Sequence, residues 1–419
     1  MFYIKFVKKI KNILFPFYKD RDLKFIFKKL QENSDKKLKS AMFVGGCVRN
    51  YLLNENVDDI DIATSLTTNE IKNKFKNTKY KILDTGIKHG TVTLISEKFK
   101  LEITTLRKDI KTDGRHAEIV YTDDWKEDSE RRDLTINAIY MDINGKIYDF
   151  QNGVQDLKKN VVKFIGDPNE RIKEDYLRII RFLRFAIQYD STTDIDTINA
   201  LKLNLDGIKN LSKERIFDEL FKVLNLKNFD NILKHKNKKD IFLLIFPELK
   251  NIDKIKKLKY FQSSNYILNS TQVLGILLSS SYNDYEYFFY KYKTSNRLNK
   301  NLELLFKLYN KSKSNKNFFK QDLIKNVYYN GSNTVKDLVI LHFFDNSKMS
   351  FSDFNKMVTK IEKVKIPKFI YDGHYLKKKG IKEGATIGKT IKLIENEWIN
   401  NKFKISNNRV EEIIKNQNN

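Results

Sequence analysis

The chain has 419 residues, 41% hydrophobic and 13% aromatic, so it is long enough for two to four packed units and too apolar to be disordered. Its 79 lysines and arginines against 53 acidic residues give a net charge of +26, which points to a polyanionic partner even though lysine, asparagine and isoleucine are used heavily throughout. A single cysteine, Cys47, excludes disulfides and thiolate zinc sites and fits a reducing compartment, the cytoplasm; the five histidines are too scattered to pair as metal ligands.

Residues 1–40 read as helical and basic. The opening run MFYIKFVKKIKNILFPFY breaks its apolar residues with lysines too often for a signal-peptide core, and reads as an amphipathic helix. From 41 to 150, β-type runs at 42–44, 59–63, 81–84, 91–95, 100–105, 117–121 and 147–150 alternate with helical stretches at 47–54, 67–76 and 128–139. Beyond about 166 the strand signals stop, and apolar residues recur at helical spacing to the end, punctuated by Pro168, Pro247 and Pro367. The expected fold class is therefore α+β, a small N-terminal α/β unit followed by a long all-helical remainder. The uncharged stretch 260–283 carries Gln, Asn and Ser, and reads as a buried helix rather than a membrane span. The lysine and asparagine runs at 234–239 and 311–317 read as exposed helix ends or loops.

Three stretches carry chemistry. In AMFVGGCVRNYLLNENVDDIDI (41–62) a strand runs into Gly45-Gly46, where backbone amides can approach phosphate oxygens, and Arg49 follows. Asp59 and Asp61 alternate about Ile60 on a second strand, so they share a face, and two carboxylates that close call for a counter-ion. Mg²⁺ holding a nucleoside triphosphate is the natural candidate. Glu102, in the strand-like KLEITTLR, is the obvious third carboxylate. In ERRDLTINAIY (130–140) two arginines and an aspartate are expected to open a helix with Asn137 one turn beyond Asp133; Arg132 suits a phosphate and Asp133 a ribose hydroxyl. In DPNERIKEDYLRIIRFLRFAIQY (167–189), Asp175, Arg178, Arg181 and Arg184 follow at intervals of three and wind slowly around a single apolar helix. Arginines set among so many apolar residues need anionic partners. Asp175 and Arg178 would offer acceptor and donor edges to a base, with Arg181 and Arg184 holding phosphates or bracing that pair.

GGCVRN…DDIDIAT, LEITTLR, RRDLTINAIY, DPNERIKEDYLRIIRFLRF and SKERIFDEL (212–220) together resemble the class II tRNA nucleotidyltransferase/poly(A) polymerase family, most closely its CCA-adding members of bacterial and mitochondrial type. The likeness runs almost unbroken from 41 to about 225. TDGRHAEIVYTDDW (112–125) is similar to the family's flexible loop and following strand, and GIKEGATIGKTIKLIENEWI (380–399) to its tail segment. The resemblance implies a helical segment (1–40), a nucleotidyltransferase-fold head (41–150), then an all-α neck (151–225), body (226–340) and tail (341–419). It implies addition of C, C and A to tRNA 3′ ends from CTP and ATP, without a nucleic-acid template and with Mg²⁺. It also implies metal binding by Asp59 and Asp61 beside Glu102, and triphosphate contacts from Gly45, Gly46 and Arg49. Arg132, Asp133 and Asn137 would hold sugar and phosphates. Asp175 and Arg178 would pair with the base, supported by Arg181 and Arg184.

Within the family the rivals are a poly(A) polymerase and an enzyme adding only CC or only A; the segment KDIKTDGRH (108–116) favours A addition. A non-catalytic RNA-binding protein on a decayed head would have lost a metal carboxylate, and all three are present. One departure is Asn50, where the family usually has aspartate; it keeps a hydrogen bond for a neighbouring arginine but not the charge.

Overall fold

The computed structural model describes residues 16–32, 40–57, 59–84, 86–113, 116–262, 264, 266–279, 282–346, 348–381 and 383–418. The opening stretch of the expected N-terminal amphipathic helix lies outside the described residues. Its last residues fall in the 3-10 turn Phe17–Lys19, and the rest of the stretch 1–40 that reads as helical contributes the separate helix Arg21–Gln31, which buries Leu23, Ile26, Phe27 and Leu30 along one stripe. The chain divides into two compact units, the first ending at Ser295 and the second spanning Asn296–Asn419.

The first unit begins with a seven-stranded sheet in the order β3-β4-β5-β2-β1-β8-β9. Its strands are β1 (Ala41–Val44), β2 (Ile60–Thr64), β3 (Lys81–Leu83), β4 (Thr91–Ile95), β5 (Lys100–Thr105), β8 (Ile139–Met141) and β9 (Ile147–Asp149). All neighbours pair antiparallel except β2 and β5, which run parallel at the centre. β1 is buried throughout, as a central strand covered on both faces must be. On one face Phe43 meets Phe27 with ring centroids 4.5 Å apart. On the other, Met42, Val44, Ala63, Leu106, Trp125 and Tyr140 form a core cluster. Asp61 shares this second face with Ala63, and its register partner Glu102 lies beside it.

Two strands were not legible in advance. β6 (Arg107–Asp113) pairs with β7 (His116–Tyr121) as a separate ribbon, so most of the segment expected as the 108–116 loop is strand. β8 occupies part of the stretch expected as helix 128–139 and beyond: only Trp125–Glu130 is α-helical there, followed by one 3-10 turn, Thr135–Asn137.

Among the described residues no strand follows β9, as expected. Helices Pro168–Glu174, Leu177–Gln188, Ile195–Leu203 and Lys213–Leu224 come next. The uncharged stretch 260–283 contains the buried helix Ser270–Leu278, and no described helix is long and apolar enough to cross a membrane. One lysine of the run 234–239 departs from expectation. Lys238 is 4% exposed and donates to the carbonyls of Ala186, at 3.1 Å, and Ser191, closing the end of the helix Leu177–Gln188. The second unit is helical from Asn296–Ser314 to Asn407–Asn418. Its core includes Tyr371, Leu376, Ile394 and Val410, and the family-like segment 380–399 forms most of the helix Ala385–Asn400.

Candidate active site

β1 ends at Val44, and Gly45 turns the chain at φ +74° into the helix Gly46–Leu52. Glycine reaches this conformation without strain. A Cβ on Gly45 would lie 3.7 Å from Asp61 Oδ2, 3.8 Å from the Asn137 carbonyl and 3.9 Å from Arg132 NH1. A carboxylate from β2 and a carbonyl and a guanidinium from the stretch 132–137 thus close around one bare turn.

Asp61 and Glu102 are direct partners across β2 and β5. Asp59 sits in the bend before β2, one residue outside the strand, and is exposed. Glu102 is exposed, with Lys100 Nζ at 3.4 Å. The Asp61 carboxyl is pushed up to about 6, by burial first and then by Glu102 and Asp59, against the pull of Arg132 and Arg49. This is the electrostatics of a site short of positive charge. Its donors are carboxylate oxygens, the hard ligands that Mg²⁺ takes. Among the described residues no three His, Cys, Asp or Glu side chains form a closed cage. Mg²⁺ commonly uses one or two carboxylates together with substrate phosphates, so the residues present fit it.

A pH dependence follows. The folded pKa lies above the ordinary value, so the charged form of Asp61 is disfavoured in the fold; that cost is present above about pH 6 and vanishes toward pH 4. Added Mg²⁺ should lower the midpoint of this transition in a thermal-stability titration, and a midpoint that ignores Mg²⁺ would remove Asp61 as a ligand.

Arg49 is 9% exposed. Its NH1 donates to Asn137 Oδ1 at 2.5 Å and its NH2 to Asn50 Oδ1 at 3.1 Å, while its buried Nε finds no acceptor among the described residues. The guanidinium lies 4.8 Å from the Phe185 ring centroid, and the same ring carries Arg184 at 4.1 Å. Asn50 therefore does hold Arg49. Its amide nitrogen also donates to the Asn56 carbonyl at 3.1 Å, a bond an ionised aspartate cannot make.

The arginine pair does not open a helix. Arg131 ends the helix Trp125–Glu130, and Arg132 and Asp133 lie in bends, yet Asp133 and Asn137 still meet, Nδ2 donating to Oδ1 at 3.0 Å. Asp133 Oδ2 accepts from Arg181 Nε at 2.7 Å. Burial would raise the Asp133 carboxyl, but Arg181 and Asn137 hold it far below the usual carboxylate range.

The expected single helix 167–189 is two, Pro168–Glu174 and Leu177–Gln188, and Asp175 is the extended residue between them (φ −156°, ψ 107°). Its Oδ1 accepts from the Leu177 N–H at 3.1 Å and its Oδ2 from Arg215 NH2 at 2.6 Å. The following Tyr176 packs on Gly207, where a Cβ would sit 2.1 Å from the ring. The regular staircase thus starts at Arg178, and its members bind carboxylates from three different segments, with Arg181 and Arg184 sharing Glu219. Arg178 NH1 binds Glu174 and, at 2.8 Å, the Arg171 carbonyl. Arg181 binds Asp133, and Arg184 Nε donates to Glu219 Oε2 at 2.9 Å.

The geometry agrees with what comparison with other proteins finds. A family profile described as "Poly A polymerase head domain" matches residues 41–163, and one described as "Probable RNA and SrmB- binding site of polymerase A" matches 192–253. The mitochondrial CCA tRNA nucleotidyltransferase 1 of Danio rerio is 31% identical over 379 residues, covering 86% of this chain and 84% of that protein. The chain belongs to the CCA tRNA nucleotidyltransferase family. The CCA-adding enzyme of Staphylococcus haemolyticus is 43% identical over 190 residues, 45% of this chain and 46% of that protein. The crystal structure of the Bacillus stearothermophilus CCA-adding enzyme in complex with CTP matches 94% of this chain and 96% of that one, with a TM-score of 0.69 at 20% identity, a likeness of fold.

Four residues of this nucleotidyltransferase site escaped sequence reasoning: Asp128, Glu174, Arg215 and Glu219. Arg215 and Glu219 had a signal, standing one helical turn apart in SKERIFDEL. Nothing in the local sequence marks Asp128 or Glu174 as paired.

Proposed function

We propose that this member of the CCA tRNA nucleotidyltransferase family adds C, C and A to tRNA 3′ ends from CTP and ATP, releasing pyrophosphate. One observation carries the reading: a continuous run of contacts links the carboxylate turn to the helix Leu177–Gln188, from Arg49 through Asn137 and Asp133 to Arg181. A single nucleotide can then lie with its triphosphate at the turn and its base against that helix. Mg²⁺, held by Asp59 and Asp61 with Glu102 beside them, would activate the attacking 3′-hydroxyl and offset the charge of the departing pyrophosphate.

The protein's part is binding and orientation. Gly45 and Gly46 leave room for phosphate oxygens, Arg49 and Arg132 supply positive charge, and the Asp133–Asn137 pair faces the sugar. Arg178 uses only NH1 within the protein among the described residues, leaving Nε and NH2 to donate, and Asp175 keeps acceptor lone pairs beside it. Cytosine accepts at N3 and O2 and donates at N4; adenine accepts at N1 and donates at N6. One aspartate–arginine pair serves both, and guanine and uracil present the opposite pattern. Arg178→Ala should therefore relax the preference for CTP and ATP over UTP and GTP by about tenfold with tRNA affinity little changed; unaltered discrimination would remove Arg178 from base reading.

We assign the head to 41–150, the neck to 151–225, the body to 226–340 and the tail to 341–419; the division between the two compact units, at Ser295–Asn296, falls inside that body. The basic helical body and tail would grip tRNA. A cytoplasmic setting rests on the lone thiol, Cys47, which is buried and pushed up to about 12, chiefly by that burial, and so is inert. The deciding experiment incubates the full chain with tRNA lacking CCA and each labelled nucleotide in turn. Three added nucleotides, C, C and A, are expected. Failure to use CTP would sink the proposal, and an open-ended A tail would make the chain a poly(A) polymerase.

A further inference from the structure

Asp128 lies in the helix Trp125–Glu130 with no exposed surface (0%). A buried carboxylate is costly unless fully paired, and this one is. Oδ1 accepts from Arg131 Nε at 2.8 Å and from the Arg107 backbone N–H at 3.3 Å. Oδ2 accepts from Tyr140 Oη at 2.7 Å, and from Arg132 NH2 at 3.1 Å and Nε at 3.3 Å. Burial would raise its pKa, but Arg132, Arg131 and Tyr140 outweigh that and hold it at about 2.

The consequence lies on Arg132. Its Nε and NH2 are taken by Asp128 and Tyr140, and its guanidinium rests 5.3 Å from the Tyr140 ring centroid. Among the described residues only NH1 is left without a partner, facing the turn at Gly45, where Asp61 also points. A free arginine side chain samples many rotamers, and each must be given up when a ligand binds.

We propose that Asp128 is a positioning residue that fixes Arg132 with NH1 aimed at the triphosphate, and that its bond to the Arg107 N–H ties this aim to the first residue of the β6–β7 ribbon. The proposal rests on the reading that Arg132 contacts phosphate. Asp128 itself touches no substrate and acts only through the guanidinium it holds.

The test compares full-length Asp128→Asn, Arg132→Ala and the double variant. Asp128→Asn should raise KM for CTP and ATP about tenfold with a smaller change in kcat, while the inhibition constant of cytidine, which lacks phosphates, and the tRNA Kd stay put. In the Arg132→Ala background the same substitution should add little. Equal weakening of CTP and cytidine, or a full and additive loss in the double variant, would overturn the proposal. If Arg132→Ala weakens CTP and Asp128→Asn does not, the positioning role alone fails. If Arg132→Ala leaves the CTP KM unchanged, the phosphate contact fails and the proposal goes with it. Should Asp128→Asn not fold, Tyr140→Phe removes one hydrogen bond from the same carboxylate, and with it the Oη that accepts from Arg132 Nε, while keeping the ion pairs. It should raise the CTP KM in the same direction by less, with cytidine again unmoved.

Discussion

Asp61→Asn is expected to cut nucleotide incorporation by about a thousandfold or more, the several kcal/mol a bound metal supplies, while tRNA binding stays nearly unchanged. Binding of tRNA draws on lysine–phosphate contacts over a large surface, and one carboxylate in the head contributes little to it. The same substitution should stabilise the metal-free protein at pH 8, on the order of 2 kcal/mol, because it removes a charge that burial and Glu102 disfavour. The fold carries an unfavourable charge where it carries the chemistry. Parallel loss of tRNA binding and incorporation, or a destabilised metal-free variant, would count against a metal role for Asp61.

The second large effect is on stability. Glu219 is 2% exposed and lies between Arg184, at 2.9 Å, and Arg181, at 3.7 Å, with Lys222 at 2.7 Å. Glu219→Ala would leave two guanidiniums facing one another across a partly buried gap, at a cost of about 3 kcal/mol in denaturant unfolding. Burial would raise the Glu219 carboxyl, yet Arg184, Lys222 and Arg181 pull it below its ordinary value of 4.5. Its contribution is therefore present above pH 4.5 and lost as the pH falls below it, so the two proteins should converge in stability in acid. A difference under about 0.5 kcal/mol at neutral pH would show that the arginines find other partners.

The parts of this site that the sequence revealed are those with a short-range rule behind them. Alternation placed Asp61 on the face that Glu102 shares, and the glycine pair marked the strand-to-helix turn at Gly45. What stayed hidden was decided by distant contacts. No glycine or proline interrupts NERIKEDYLRIIRF, and apolar spacing carries on through it, so the break at Asp175 was invisible. It is held by Arg215 and by the packing of Tyr176 on Gly207. β8 is three buried residues, IYM, too short for periodicity to tell strand from helix. Asp128 and Glu174 went unmarked because charged neighbours three and four residues away are as common on solvated helix faces as in a buried cluster, and only the packing of Tyr140 over Asp128 decides between them.

The central parallel pair has a kinetic consequence. Strands that run the same way cannot be joined by a tight turn, and here about forty residues of chain, including β3 and β4, lie between the two carboxylates. β3, β4 and β5 can pair locally, but the β2–β5 pairing returns no energy until this loop closes, which is the slow kind of contact to make. On an emerging nascent chain, Gly45 and Asp61 would wait for β5 to arrive, so catalytic competence should be among the last properties the head acquires as it folds.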